Sequence, residues 1–306
     1  TSRGLGDVYK RQVLALRRVR RGVHSGSRRH IPLGKTVPQA LRGAPMRKTA
    51  AVIAVILVLG AAVAACWLVN VCHESDVNRA KIVELRKMAE KSSVTDMKGG
   101  LEPGEESRTA PISDGDNPEK PLRHDLALLK EENPDCIGWV SVPGTGIDFP
   151  VMQNGDFYLR HDFEGNYSDY GLPFLDERCS LETSDQLIIY GHHMNDGSMF
   201  SALLNYADRD YCTAHPEILL ETERGAESYL VAAVVREKGS YGPGEWSLFD
   251  QINMSVASFR ALVENLNERG LYDTGWELVF GDRLLTLVTC EYSQDNGRLA
   301  VVAMKT

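Results

Sequence analysis

Between residues 122 and 306, apolar and polar positions alternate in short runs bounded by turn residues, the period-2 signature of half-buried strands. "GWVSVP" and "IDFPVMQ" flank "GTG", a tight-turn signal. "LPFLDE", "QLIIYGHH", "EILLETE", "ESYLVAAVVRE", "WELVF", "LLTLVT" and "RLAVVAM" read as further strands. Two stretches change period. "LRHDLALLKEENPD" carries a helical face that Pro134 ends. "SVASFRALVENLNERG" sets Val256, Phe259, Leu262, Val263 and Leu266 at helical spacing, with Ser255 as N-cap and Gly270 as the stop. Many short strands with few helices predict a mainly β domain, closed or nearly closed into a barrel.

Upstream the pattern differs. "AAVIAVILVLGAAVAACWLV", residues 50–69, holds no charge, and its length suits the ~30 Å hydrocarbon layer of a membrane. Arg47 and Lys48 precede it and a long acidic remainder follows, which predicts a cytoplasmic N-terminus and a domain outside. A cleaved secretory signal is the alternative, and "VAAC" at 63–66 resembles a lipoprotein cleavage box. The apolar run continues through Trp67, Leu68 and Val69, which favours an anchor. "DVNRAKIVELRKMAEKSS" then spaces Val77, Ile82, Val83, Leu85 and Met88 as a stalk helix, and residues 94–121, rich in Gly, Pro, Ser and acid, read as a solvated linker.

Composition changes the picture mainly at the N-terminus. With 43% hydrophobic and 25% charged residues the chain is neither disordered nor collagenous. Its net charge of -8 hides an asymmetry: residues 1–45 hold eleven Lys/Arg and one acid, a net +10, which leaves -18 on the rest. Such an arm would ordinarily point to nucleic acid or a membrane surface. Ser2 to Gln12, however, matches without interruption the in-frame translation of a transposon-based sequencing adaptor. Residues 1–45 are therefore expected to be adaptor and upstream read-through, with Met46 as the start and no nucleic-acid partner. The expected organisation is 46–72 basic stub and transmembrane anchor, 73–121 stalk helix and acidic linker, and 122–306 globular domain.

The six cysteines form no CxxC pair, so a zinc site is unsupported. "DGDNPE" at 114–119 lacks the Gly and terminal Glu spacing of a calcium loop. Cys136, Cys179 and Cys212 admit one disulfide, with small buried thiols as the alternative. Cys290 is different, because it ends an apolar strand at a polar loop. A thiol becomes a useful nucleophile beside an imidazole or a cation. His192 and His193 follow Gly191 at the mouth of another strand, and Arg298 opens the strand after Cys290, where it can serve a developing oxyanion. Singly, each has a structural explanation; together, at three strand ends, they point to acyl-transfer chemistry. Tyr190, Thr289 and Glu291 flank them as lighter candidates for substrate binding.

"TLVTC" with Arg298 downstream, "IIYGHHMNDGSMF", "NPDCIGWVSVPGTGIDFPVMQ" and "YLRHDFEGNYSDYGLPFLD" resemble the sortases, specifically class B. The helix at 255–269 is similar to the insertion that marks that class. The resemblance covers about Leu122 to Thr306. It implies an eight-stranded sortase β-barrel with an N-terminal helix and a long helix between the last barrel strands. It also implies a membrane-anchored cysteine transpeptidase of a Gram-positive bacterium. Carried over residue by residue, Cys290 is the nucleophile, His192 the acid/base, being directly after the glycine, and Arg298 the oxyanion-stabilising or substrate-positioning cation. Implied partners are surface proteins bearing a sorting motif, of Asn-Pro-x-Thr type in many class B members, and a peptidoglycan precursor amine. No cofactor is implied. Val288 stands where many class B members have Ser, which touches fine substrate contacts. Polymerisation of pilins, a binding module on the same barrel and a purely hydrolytic cysteine peptidase are the alternatives.

Overall fold

A computed structural model describes residues 46–96, 122–293 and 295–306. Two compact units divide the chain between Arg79 and Ala80. In the first, helix α1 (Met46–Asp96) exposes Leu57, Val58, Val63, Trp67 and Val69. This helix is long and apolar enough to cross a membrane, in keeping with the run at 50–69.

The second unit begins earlier than the pattern suggested. Within it, Ile82, Leu85 and Ala89 of α1, spaced i, i+3, i+7, bury one stripe in the domain core while Val83 faces out. Lys81 donates to Asp162 at 2.6 Å and Glu164 at 2.9 Å, and Arg86 pairs with Asp148 at 2.9 Å. From Ala80 onward the helix is thus an integral part of the domain and not a free stalk. The expected linker beyond Asp96 and the expected read-through at 1–45 lie outside the described residues.

Helix α2 (Leu126–Glu132) starts at Asp125, whose carboxylate accepts from the Leu128 amide at 3.0 Å, and ends before Pro134. Eight strands follow: β1 (Cys136–Ser141), β2 (Asp148–Met152), β3 (Phe174–Leu175), β4 (Gln186–Tyr190), β5 (Glu217–Thr222), β6 (Gly225–Lys238), β7 (Leu284–Glu291) and β8 (Gly297–Lys305). They close into a barrel in the order β1-β2-β3-β4-β7-β8-β6-β5. Short helix α3 (Arg209–Ala214) precedes β5, and α4 (Val256–Arg269) lies between β6 and β7 in the chain. Ser255 caps α4 by accepting from the Ser258 amide, and Phe259, Leu262 and Leu266 form its buried face. Gly270 caps its end: its amide donates to the Leu266 carbonyl while ψ 137° leaves the helix, and a Cβ there would meet that same oxygen at 2.8 Å.

β7 pairs with β4 in parallel and with β8 antiparallel, so it has no free edge, and Leu284 to Cys290 are buried on both faces. That explains why "LLTLVTC" is a continuous buried run and not an alternation. Its polar Thr286, fully buried, donates to Gln186 Oε1 at 2.9 Å, and the Gln186 amide is spent on the Leu248 and Gln251 carbonyls.

One predicted strand is absent. "WELVF" at 276–280 is a loop with Trp276, Val279 and Phe280 exposed. A closed barrel leaves no edge for it to pair with, so its β propensity has nowhere to go. Among the described residues there is no disulfide: Cys136, Cys179 and Cys212 are free and buried. Burial pushes Cys136 and Cys179 up to about 11 each.

Candidate active site

Cys290 is the penultimate residue of β7, 7% exposed, and its ladder partner on β8 is Arg298. Residues directly opposite in an antiparallel pair project from the same face with neighbouring Cβ atoms, so thiol and guanidinium share one side of the sheet. The return between the strands turns at Asn296, which adopts φ 57°, and Gly297 follows it into β8. The tight hairpin therefore does fold Arg298 back beside Cys290.

The third residue arrives from 98 residues away. Tyr190, the end of β4, is in register with Val288, and the Gly191 amide continues the ladder to the Val288 carbonyl at 3.0 Å. One step further along parallel strands brings His192 to the level of Cys290. Thr289 Oγ1 donates to the Gly191 carbonyl at 2.9 Å, and the Phe200 amide donates to the His192 carbonyl at 2.8 Å, so the histidine backbone is held on both sides. Glycine is required just before it: a Cβ on Gly191 would lie 2.5 Å from the Phe200 ring.

The ring itself is oriented by a main-chain carbonyl. His192 Nε2 lies 2.7 Å from the Leu159 oxygen. A carbonyl only accepts, so Nε2 carries a proton and Nδ1 is the nitrogen left to exchange one. The Leu159 segment is placed by a second tight glycine, because a Cβ on Gly171 would stand 2.4 Å from the Tyr158 oxygen and 2.8 Å from that of Leu159. Burial lowers the His192 pKa, the Leu159 bond opposes this, and the positive charges of Arg160 and Arg298 lower it further. The imidazole is accordingly held neutral near physiological pH. Long-range ¹H–¹⁵N NMR of the neutral ring will show the Nε2–H tautomer. A shift pattern of the Nδ1–H form would contradict this orientation.

His193 packs against the Cys290 main chain, whose hydrogen bond opposes the lowering of its pKa by burial, and its ring is tilted against Tyr292 at 5.3 Å. Tyr190 packs between Phe174 and Phe249, and its hydroxyl donates to Asp176 at 3.2 Å. Thr289 is buried with its hydroxyl spent on Gly191. Glu291, half-buried, accepts from Ser293 at 2.6 Å and lies 3.8 Å from Arg236. These three are seated in the framework around the site. The structure thus gathers Cys290, His192 and Arg298 and adds Leu159, Gly171 and Phe200. Leu159 acts through its backbone, which leaves no trace in a sequence. The glycine before His192 was the available hint of close approach.

Comparison with known proteins places this geometry. A model of the Sortase domain matches residues 140–306. Sortase B of Listeria monocytogenes is 30% identical over 185 residues, which span 59% of this chain and 73% of that protein. The crystal structure of Clostridium perfringens sortase B is 30% identical, with a TM-score of 0.54 over 59% of this chain and 98% of its own. A Staphylococcus aureus sortase B–substrate complex, 21% identical, shares the fold with a TM-score of 0.62 over 76% and 98% of the two chains.

Proposed function

The chain belongs to the sortase family, with class B transpeptidases as its relatives, and from that premise we propose that it cleaves a sorting motif after Thr and transfers the surface protein to a peptidoglycan amine. The observation that carries this reading is the pairing of Cys290 with Arg298 across β7 and β8, with His192 two residues past the end of the neighbouring strand β4, whose Tyr190 is in register with Val288.

In this reading Cys290 sulfur attacks the Thr carbonyl carbon while its proton passes to His192 Nδ1. The carbonyl oxygen becomes an oxyanion, which the Arg298 guanidinium stabilises. Collapse breaks the C–N bond, and the same nitrogen returns the proton to the departing amine, leaving a thioester on Cys290. An acceptor amine then attacks the thioester carbonyl and gives its proton to His192. The new amide forms as the thiolate leaves, and the thiol is restored by that proton. The Leu159 bond keeps Nδ1 in service through both halves by fixing the tautomer.

The apolar helix supports a single-pass anchor with a cytoplasmic N-terminus and the domain outside a Gram-positive cell. The test uses the full chain in detergent with quenched peptides of Asn-Pro-x-Thr and Leu-Pro-x-Thr-Gly type, with and without peptidoglycan-derived amines. The expected result is an amine-dependent peptide conjugate by mass spectrometry. Cleavage indifferent to amine would mark a hydrolytic peptidase, product only with a pilin lysine a polymerising sortase, and no cleavage of any peptide a binding module.

A further inference from the structure

Gly239 lies one residue beyond β6, where the chain leaves the barrel towards α4. Its amide donates to the Asn296 carbonyl at 2.7 Å, extending the β6–β8 ladder one step. Two residues earlier, Glu237 is the ladder partner of Arg298. Side chains alternate along a strand, so Gly239 opens on the same face as Glu237 and therefore as Arg298.

What occupies that opening is the arginine. A Cβ on Gly239 would stand 2.8 Å from Arg298 Cζ and 2.9 Å from Nη2, and 2.8 Å from Asn296 Oδ1. The guanidinium therefore rests directly on the bare backbone of Gly239. The backbone conformation does not demand glycine here, because φ lies outside the left-handed region. The demand is for space.

Neighbouring groups fix the same arrangement. Arg298 Nη1 donates to the Gly297 carbonyl at 2.8 Å, and Asn296 Nδ2 donates to Ser240 Oγ at 3.1 Å, tying the hairpin return to the chain after β6. Glu237, buried, accepts from Arg269 at the end of α4 at 2.8 Å, which anchors the strand just before the seat.

We propose that Gly239 is a positioning residue for Arg298: its missing side chain is the seat that holds the guanidinium at the level of Cys290. The proposal rests on the sortase reading above and extends it to a residue that touches no substrate. The atoms a new methyl would displace are the free ends of two flexible side chains, so Gly239→Ala moves the cation without breaking the fold.

The experiment compares the wild-type full chain in detergent with Gly239→Ala, Arg298→Ala and the double variant. For Gly239→Ala, kcat/KM on the sorting peptide falls roughly ten- to a hundredfold, mostly in kcat, as expected for a displaced transition-state partner. Its melting temperature stays within about 2 °C of wild type. In the Arg298→Ala background the same change adds no further loss. Wild-type activity in Gly239→Ala, or an equal fold-loss in both backgrounds, overturns the proposal.

A second readout needs no substrate: the ratio of Cys290 alkylation rates with iodoacetate and iodoacetamide, which differ in charge. The seat predicts a fall in that ratio in Gly239→Ala, towards the value in Arg298→Ala. An unchanged ratio overturns the seat even if peptides are cleaved. A falling ratio in a chain that cleaves nothing sustains the seat and removes the sortase reading.

Discussion

Replacing Cys290 with Ala will reduce peptide cleavage by at least about 10⁴-fold and abolish the covalent thioester, with the fold intact. The loss is large because no other thiol of the barrel domain can take over, and the exposed Cys66 and Cys72 belong to the other compact unit. Cys136 and Cys179 are buried in the core with pKa values pushed up to about 11, so roughly one molecule in 10⁴ carries either thiolate at neutral pH. Cys212 is buried and raised as well. Intact-mass analysis during turnover checks both claims. An acyl adduct that survives in Cys290→Ala would place the nucleophile elsewhere.

The second large effect is expected at His192. Glutamine is the informative replacement, since its amide can still donate to the Leu159 carbonyl but exchanges no proton. Loss of acid–base catalysis predicts a fall of about 10² to 10⁴ in kcat/KM, with little change in melting temperature. The pH dependence carries a sign. With neutral His192 as the proposed base and its pKa lowered by burial, Arg160 and Arg298, the acidic limb of kcat/KM is expected below the 6.5 of an ordinary imidazole. Activity rises with pH through that lowered value. Removing the Arg298 charge moves the limb to higher pH, and Gln at 192 erases it. A limb that persists in the Gln variant would assign the titration to another group.

How much of this was legible in the sequence follows from how each interaction is made. The α4 boundaries, Ser255 as cap and Gly270 as stop were readable because caps and periodicity are local. So was β7, whose apolar run reports burial on both sides. The same local logic failed at 276–280, where β propensity was real but closure of the barrel left no partner strand. It also cut the domain off from α1, because a helix bearing Lys81 and Arg86 reads as solvated until Asp162, Glu164 and Asp148 are brought to it by distant chain. At the site, Cys290 and Arg298 were linked by a short hairpin, whereas the level of His192 depends on a parallel pairing that no local pattern encodes. The Leu159 carbonyl and the seat at Gly239 were invisible for a simpler reason: one is main chain, and the other is the absence of a side chain.

The strand order also bears on when the site comes into being. His192 follows β4 early in the chain, but the neighbours of β4 on this side of the barrel wall are β7 and then β8, the last two strands to emerge. Contacts of such long sequence separation form late. Until the barrel wall closes, the thiol has neither the imidazole nor the cation beside it. The reactive centre assembles only when the final strand, Gly297–Lys305, closes the wall. Completion of folding is thus the step that switches the chemistry on, and a chain cut short before β8 carries the nucleophile without the means to use it.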